Sequence, residues 1–270
     1  MSKVSLSAKR KGHIKIARKT FAYPYLIFML IFLVVPLFMI LVNAFLAEGK
    51  LTFDNFLSFL TDATGMNVFF RSLLFGLVTT LICLLIGYPV AYILAKNHAG
   101  SKILSLLFIL PMWVNFLLRT LAVKEIFEAL NMPLGEGAVL VGLIYNYLPF
   151  MILPLHTILT NMDPSYEEAA RDLGCDGVDV FLRTTLPLSL PGILSGITMV
   201  FIPAISTFAI SQFLSEYQVA LFGDIIQSFF GNVDTYGVGS VMALVMLAFV
   251  LISNLLLNRF NQDNKGGNVI

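Results

Sequence analysis

The residues best suited to specific chemistry lie in one polar segment, 163–192, which separates two long apolar runs. This segment mixes acidic, basic and hydroxyl side chains, and it contains the run Glu168-Ala169-Ala170 followed by Gly174. Small side chains on a helix let another protein approach closely, as in helix-in-groove recognition. We therefore expect the segment to lie outside the apolar environment of the two flanking runs and to bind a partner protein there. The alternative is an ordinary amphipathic helix lying on a membrane surface, with Glu168 merely solvated.

Helix signals open the segment. Asp163 followed by Pro164 is typical of a helix start, and Ser165 with Glu168 has the spacing of a capping box. The first helix should end at Gly174, because glycine readily takes the left-handed conformation that closes a helix.

A second short helix is predicted over 176–183. It should end before Pro187, because proline lacks a backbone N–H and disfavours a helical residue before it. Two capped helices would form a rigid unit, which a contact that transmits force requires.

These residues resemble the EAA loop of ATP-binding cassette (ABC) importer permeases, the element that docks onto an ATPase subunit. That pattern is E-A-A-x-x-x-G, followed nine residues later by I-x-L-P. Here Thr184 replaces the isoleucine, which weakens one apolar contact and leaves the spacing intact. The resemblance implies that the residues coupling this chain to an ATPase are Glu168, Ala169, Ala170, Asp172, Gly174, Leu186 and Pro187.

Three further stretches, 111–127, 142–155 and 170–174, resemble the permeases of spermidine/putrescine importers, within a likeness that covers about 21–260. This resemblance implies a type I (MetI-like) permease fold and a polyamine substrate. It also implies a second permease subunit, two ATPase subunits that bind ATP and Mg²⁺, and an extracytoplasmic substrate-binding protein. This chain itself is expected to bind no cofactor.

Other interpretations stay open. The EAA-like loop does not discriminate between cargoes, so ferric ion, sulfate, thiamine or another small solute would fit it equally well. A stand-alone secondary carrier or a membrane scaffold is a third interpretation from a different class.

Composition indicates that a lipid bilayer surrounds most of the chain. Of its 270 residues, 58% are hydrophobic and only 12% are charged, and the mean hydropathy is +0.87. A soluble domain of this length could not hide so much apolar side chain from water. We expect an all-α integral membrane protein with no nucleic-acid partner.

Six apolar runs are long enough to cross the hydrocarbon layer as helices, which takes about 20 residues. Pro111 in the third run and Pro203 in the fifth predict kinks. The predicted parts are a basic tail (1–20), a six-helix permease domain (21–260) and a C-terminal tail (261–270). The predicted spans are 21–45, 72–95, 103–123, 138–160, 193–215 and 237–258.

The distribution of basic residues predicts the orientation. On this layout, thirteen of the seventeen Lys and Arg residues lie on one side, seven of them in the 1–20 tail. By the positive-inside rule both termini and the 163–192 segment are cytoplasmic. The tail is too long and its apolar run too extended for a cleaved signal peptide, so we expect a multi-pass protein. The resemblance to importer permeases implies that it lies in the inner (plasma) membrane of a prokaryote.

Candidate pathway residues are polar or aromatic groups at membrane depth, or acids at the ends of spans. The two asparagines alternatively make interhelical hydrogen bonds, and the tyrosines an interfacial belt. The acidic outer loops either keep those loops soluble or attract a cation. The set is Trp113, Asn115, Glu125, Tyr145, Asn146, Tyr147, Ser206, Thr207 and Glu216.

No Asp or Glu lies within the six spans as drawn. Ionisable groups in a bilayer cost at least about 2.5–3.5 kcal/mol and mark ion relays, so their absence argues against a proton-coupled carrier. It also predicts that this subunit cannot by itself place a buried carboxylate against an ammonium group. Arg119 is expected to reach the headgroups or to pair with Glu125.

The sequence predicts neither a catalytic nor a metal site. It has no G-x-x-x-x-G-K-[ST] loop, and His13, His98 and His156 are scattered. Cys83 and Cys175 lie in different environments and are expected to be free thiols. We therefore expect a transport subunit that is not an enzyme.

A small-residue surface begins at Gly192 and Gly196 in the fifth run and continues through Ala204, Ser206 and Ala209. Such surfaces let helices approach closely. The surface fits either a contact with a second permease or tight packing within this chain.

Overall fold

The computed structural model describes residues 22–47, 49–96 and 110–266, which are mostly helical. The predicted basic tail 1–20 lies outside the described residues. In chain order the helices are α1 (Ala22–Met29), α2 (Val35–Ala44), α3 (Asp54–Thr61), α4 (Ala63–Lys96), α5 (Phe116–Ala129), α6 (Glu136–Thr160), α7 (Ser165–Asp172), α8 (Gly177–Val180), α9 (Leu186–Leu188), α10 (Leu190–Ser206), α11 (Ala209–Ser215), α12 (Phe222–Phe230) and α13 (Tyr236–Gly266).

Shorter elements join these helices. Two π turns, Leu30–Val34 and Phe181–Thr185, make α1–α2 and α8–α9 nearly continuous. After α2 the chain forms an antiparallel pair of two-residue strands, β1 (Leu46–Ala47) and β2 (Lys50–Leu51). Turns of 3-10 helix precede α5 and α13.

Four predicted spans are single helices in the structure, each long and apolar enough to cross a bilayer. A fifth span is possible if a pair of helices joined by a 60° bend counts as one. The last helix continues beyond its predicted end, to Gly266. The four helices are Tyr23–Ala44, Ala63–Lys96, Glu136–Thr160 and Val233–Leu257.

The predicted third span, 103–123, is wrong as one continuous helix over the part that the structure describes. Its first seven residues lie outside that part. A 3-10 turn, Leu110–Trp113, holds Pro111, and α5 begins only after a break. Asn115 caps α5, since its Oδ1 accepts a hydrogen bond from the backbone N–H of Leu117 at 2.8 Å. Pro111 predicts a kink in this run, but the run is apolar enough overall to be taken as one span.

The predicted fifth span, 193–215, is also interrupted. Helix α10 ends at Ser206, Thr207 is extended (φ −68°, ψ 148°), and the chain turns helical again in α11. The break leaves backbone groups without their helical partners, and in apolar surroundings these groups need other hydrogen-bond partners. The hydroxyl of Tyr147 donates to the carbonyl oxygen of Pro203 at 3.2 Å, so a neighbouring helix satisfies one of them.

The core is built where α4, α6 and α10 pack together, and the small-residue surface lies inside it. A Cβ on Gly196 would lie 2.5 Å from the sulfur of Met151, and one on Gly192 would lie 3.1 Å from Cγ1 of Ile158. Both glycines are buried against α6. Of the two interpretations left open, packing within this chain is therefore the one observed at these positions.

Candidate functional site

The 163–192 segment begins with a cap on α7. Oδ1 of Asp163 accepts a hydrogen bond from the backbone N–H of Ser165 at 2.9 Å, and hydrogen bonds from Ser165 hold the pKa of that carboxyl below its ordinary value. The predicted acidic cap is therefore present, whereas the N–H of Glu168, which a capping box at Ser165 would use, donates to the carbonyl of Pro164. Gly174 follows the helix in the left-handed region (φ +88°), as predicted.

The second helix starts as expected but does not end where expected. Oδ1 of Asp176 accepts from the backbone N–H groups of Val178 and Asp179, in the first turn of α8. The helix then continues through Pro187 to the end of α9, which corrects the prediction. In the π turn the N–H of Leu186 donates to the carbonyl of Phe181, five residues back. This wider turn accommodates a proline that an α-helical ladder would exclude.

Glu167 fixes α7 to the rest of the protein. Its Oε1 accepts from the hydroxyl of Thr185 at 3.0 Å, and its Oε2 pairs with Nζ of Lys96 at the end of α4. Burial raises the pKa of Glu167, but the hydrogen bonds from Lys96 and Thr185 outweigh burial and lower the pKa overall. Sequence reasoning missed this residue in favour of Glu168. Helical spacing gave no signal for it, because Glu167 shares a helix face with Ala170, which was itself assigned to the ATPase contact.

Aromatic contacts fix the second helix to the same span. The hydroxyls of Tyr88 and Ser189 are hydrogen-bonded at 2.8 Å. The ring of Phe181 contacts the rings of Tyr88 and Tyr92 edge-on, at 5.7 and 5.6 Å between centroids. The 163–192 segment is therefore held against α4 at several points.

The opposite side of the segment is uncovered in this chain. Of the residues predicted to couple to an ATPase, Ala170 and Leu186 are half-buried, and Glu168, Ala169, Asp172, Gly174 and Pro187 are exposed. Large apolar side chains accompany them, and Leu173 is 86% exposed. Exposed apolar surface of this kind marks a site of interaction. We call Tyr166, Glu168, Ala169, Leu173, Val178 and Leu182 the docking surface.

A cavity of about 300 Å³ lies where α5, α6 and the α10–α11 break meet. Four of the polar residues singled out from the sequence line it: Asn146, Tyr147, Ser206 and Thr207. The structure does not bring the other five to this cavity. Trp113 is 85% exposed, Asn115 caps α5, and Tyr145, Glu125 and Glu216 are exposed. Their role in a pathway stays a prediction.

Arg119 also lines this cavity, which corrects the expectation that it reaches headgroups or pairs with Glu125. It is only 7% exposed, and Nη1 donates to the backbone carbonyl of Asn146 at 3.5 Å. Nε has no hydrogen-bond partner in the described part of the chain. A permanent positive charge therefore borders the cavity.

Asp224 corrects a second expectation. The stretch 216–236, expected to be an outer, solvated acidic loop between the fifth and sixth predicted spans, instead contains α12, and Asp224 is only 8% exposed. Its Oδ2 accepts from the hydroxyl of Ser211 at 2.6 Å and from the N–H of Leu221 at 2.7 Å. The chain thus does hold a buried carboxylate. Among the residues that the structure describes, no group of three or more His, Cys, Asp or Glu is placed to hold a metal ion.

Comparison with known proteins assigns the family. Residues 84–266 match the model of the binding-protein-dependent transport system inner membrane component. The chain is 34% identical to the spermidine/putrescine transport system permease protein PotB of Haemophilus influenzae, over 88% of this chain and 93% of that protein. It is 32% identical to PotB of Escherichia coli strain K12, over 84% of this chain and 94% of that protein.

The fold has solved counterparts. A chain in an inward-facing structure of the MetNI methionine ABC transporter superposes with a TM-score of 0.59 at 17% identity, over 74% of this chain and 95% of that one. The predicted type I, MetI-like permease fold is confirmed, although the described part shows four single spans and one bent pair rather than six continuous helices. The chain belongs to the family of binding-protein-dependent transport system inner membrane components.

Proposed function

We propose that this chain is a permease subunit of an ATP-driven spermidine/putrescine importer and that a separate ATPase moves it through the docking surface. Coupling to an ATPase is supported by the two sides of the 163–192 segment. Its inner side is bound to α4, while its outer side exposes Leu173 and its neighbours. Family membership supports the transport part. The PotB relatives support the cargo.

The segment has the mechanical properties that coupling needs. Pushing on α7 would load α4 directly, because Glu167 joins Lys96 and Thr185. The same push would reach α10, because α8–α9 meets α10 at a 60° bend. Both helices pack against α6, whose Asn146 and Tyr147 line the cavity, so closure of an ATPase pair would alter access from either side of the membrane.

The expected assembly follows from the PotB likeness. It contains a PotC-like second permease, two PotA-like ATPase subunits that bind ATP and Mg²⁺, and an extracytoplasmic PotD-like binding protein. The 163–192 segment and both termini face the cytoplasm of a prokaryote, in keeping with the positive-inside distribution. This chain hydrolyses no ATP itself.

One observation favours a different cargo. The buried guanidinium of Arg119 borders the cavity, and a positive charge in apolar surroundings attracts an anion and repels an ammonium group. Sulfate is therefore the second candidate. ATP-dependent uptake of spermidine, putrescine, sulfate, ferric ion and thiamine by the assembled complex in liposomes decides between them. We expect uptake of the polyamines alone, and uptake of sulfate without polyamines would overturn the proposal.

The coupling proposal has its own test. Glu168→Lys reverses a charge on the docking surface without touching the contacts of Glu167. We expect at least a tenfold loss of ATP-driven uptake with normal insertion and normal thermal unfolding. The matched control is Asp234→Lys, an exposed acid outside the segment, which should retain uptake.

Full uptake by Glu168→Lys, or flux driven by an ion gradient in the absence of any ATPase, would show that the coupling assignment is wrong. The second result would favour a stand-alone carrier.

A further inference from the structure

Asp224 lies at the start of α12, where one carboxylate oxygen is accounted for and the other is not. Oδ2 accepts from Ser211 and from the N–H of Leu221, which caps the helix. Oδ1 is buried and has no hydrogen-bond partner within the described residues. The capping role therefore accounts for Oδ2 but not for Oδ1.

An unpaired buried carboxylate is costly unless a cation or a proton neutralises it. Burial raises the pKa of Asp224 above its ordinary value, although the hydrogen bonds from Ser211 and Leu221 and the nearby side chain of Gln212 act in the opposite direction. The same burial increases the gain from any cation that reaches Oδ1, because electrostatic attraction is stronger away from water.

A cavity of about 240 Å³ opens beside this carboxylate. Its polar lining, besides Asp224, consists of Gln212, Tyr217 and Ser228. Its apolar lining consists of Val219, Ala220 and Ile225. The volume is sufficient for the end of an alkyl chain but not for a large solute.

We propose that this cavity binds a primary alkyl ammonium group, such as one end of a polyamine, with Oδ1 of Asp224 as the charged acceptor. An ammonium group carries three N–H donors and needs several acceptors. Asp224 supplies the charged one, while the hydroxyl of Ser228 and the amide oxygen of Gln212 are further oxygen atoms in the lining. The ring of Tyr217 offers a π face, and the apolar wall suits methylene groups.

The inference rests on the proposed polyamine cargo. Asp224 supplies a negative charge for an ammonium group, whereas Arg119 places a positive charge at the other cavity. The cavity at the α10–α11 break is bordered by a positive charge, whereas this one is bordered by a negative charge. An ammonium group would therefore be held at α12, away from Arg119. The chain would contribute its own carboxylate to cation recognition.

Asp224→Asn separates binding from capping, because asparagine keeps an oxygen that accepts from Leu221 but loses the charge. The control is Asp234→Asn, an exposed acid in the same outer stretch. Ser228→Leu is a second variant, which fills the cavity without altering the cap. All are assembled with the second permease and the ATPase subunits.

Two measurements are made on each complex. The first is the thermal unfolding temperature of the receptor-free complex with putrescine, with n-butylammonium and with uncharged 1-butanol. The second is the half-saturating polyamine concentration for ATP-driven uptake in the presence of the binding protein. We expect both amines, and not the alcohol, to raise the unfolding temperature of the wild type and of Asp234→Asn. Asp224→Asn and Ser228→Leu should lose that shift and show at least a tenfold higher half-saturating concentration.

Each result decides a separate point. If polyamine uptake is normal but Asp224→Asn and Ser228→Leu keep the wild-type shift and half-saturation, the site is overturned and the function stands. If the complex imports no polyamine yet shows an amine-specific shift that both variants lose, the site stands and the function is overturned. If the wild type shows neither uptake nor shift, both are overturned.

Discussion

Two adjacent glutamates in α7 have different surroundings and therefore different expected roles. The side chain of Glu167 is only 13% exposed and contacts Lys96 and Thr185, whereas Glu168 points to the uncovered side. Replacing Glu167 should loosen α7 from α4. Replacing Glu168 should change only the surface that a partner meets.

The first prediction concerns Glu167 and pH. Its folded-state pKa lies below the ordinary glutamate value of 4.5, so its stabilising contribution is complete above that value and is lost as the pH falls through the folded pKa. Hydrogen exchange of the α7 amides, corrected for intrinsic rates, should show protection that decreases on acidification. Glu167→Gln should lower protection about tenfold at neutral pH, equivalent to about 1.4 kcal/mol, and should abolish the pH dependence. Identical profiles for both proteins would contradict this account.

The second prediction concerns the left-handed residue that ends α7. Gly174→Ala should destabilise the segment by about 1–2 kcal/mol, because a Cβ is strained at φ +88° even though nothing lies within 4 Å of it. Gly174→Asn should cost less, since asparagine tolerates this conformation. Local exchange at α7 measures both. Gly177→Ala is the control, because a Cβ there also meets nothing and its φ is not left-handed; an equal effect at both glycines would contradict the argument.

At the scale of elements, the interrupted helices set the geometry near the membrane-depth cavity. At the α10–α11 break the carbonyl of Pro203 accepts from the hydroxyl of Tyr147 at 3.2 Å and from that of Ser206 at 3.4 Å, and the Ser206 hydroxyl also lies 3.1 Å from the carbonyl of Ile202. The break is therefore stabilised by side chains of the same core, so that the helix can end within apolar surroundings.

The third prediction tests that arrangement. Tyr147→Phe removes the hydroxyl and keeps the ring, so it should destabilise the chain by about 0.5–2 kcal/mol, within the range for membrane hydrogen bonds. Thermal unfolding of the purified chain in detergent measures the loss. Tyr145→Phe, which alters an exposed ring on the same helix, is the comparison. Equal stability of the two variants would show that the hydroxyl contributes nothing to the break.

How far the sequence predicts these elements depends on where the controlling interaction lies. Long apolar runs are sufficient to locate α4 and α6. Local capping chemistry is sufficient to predict the start of α7 at Asp163 and its end at Gly174. The breaks beside Asn115 and Thr207 lie inside runs that are apolar enough overall to be taken as single spans.

Tertiary contacts decide the remaining features. The passage of the α8–α9 helix through Pro187 depends on a π turn held against α4. The burial of Asp224 depends on Ser211, thirteen residues away. The local sequence pattern predicts neither feature. The first shapes the 163–192 segment, and the second shapes the cavity beside Asp224.

At the scale of the whole molecule, the 163–192 segment is continuous with the core rather than appended to it. Its inner contacts reach α4, and its far end turns directly into α10, the helix whose end borders the cavity. The separate N-terminal span is different, because its side chains are mostly exposed within this chain. A push on α7 would therefore move the packed helices as a unit, which is the central claim of the proposed mechanism.

The most direct test is whether an ATPase covers the docking surface in the working assembly. Leu173→Cys in a Cys175→Ser background places a thiol on that surface, while the remaining Cys83 is fully buried. Val233→Cys, at a side chain that is 90% exposed in the stretch 216–236, is the control. Maleimide labelling is compared for the permease pair alone and for its complex with the ATPase subunits. We expect labelling at 173 to fall at least tenfold on assembly and labelling at 233 to stay constant, whereas equal labelling at 173 in both states would contradict the account.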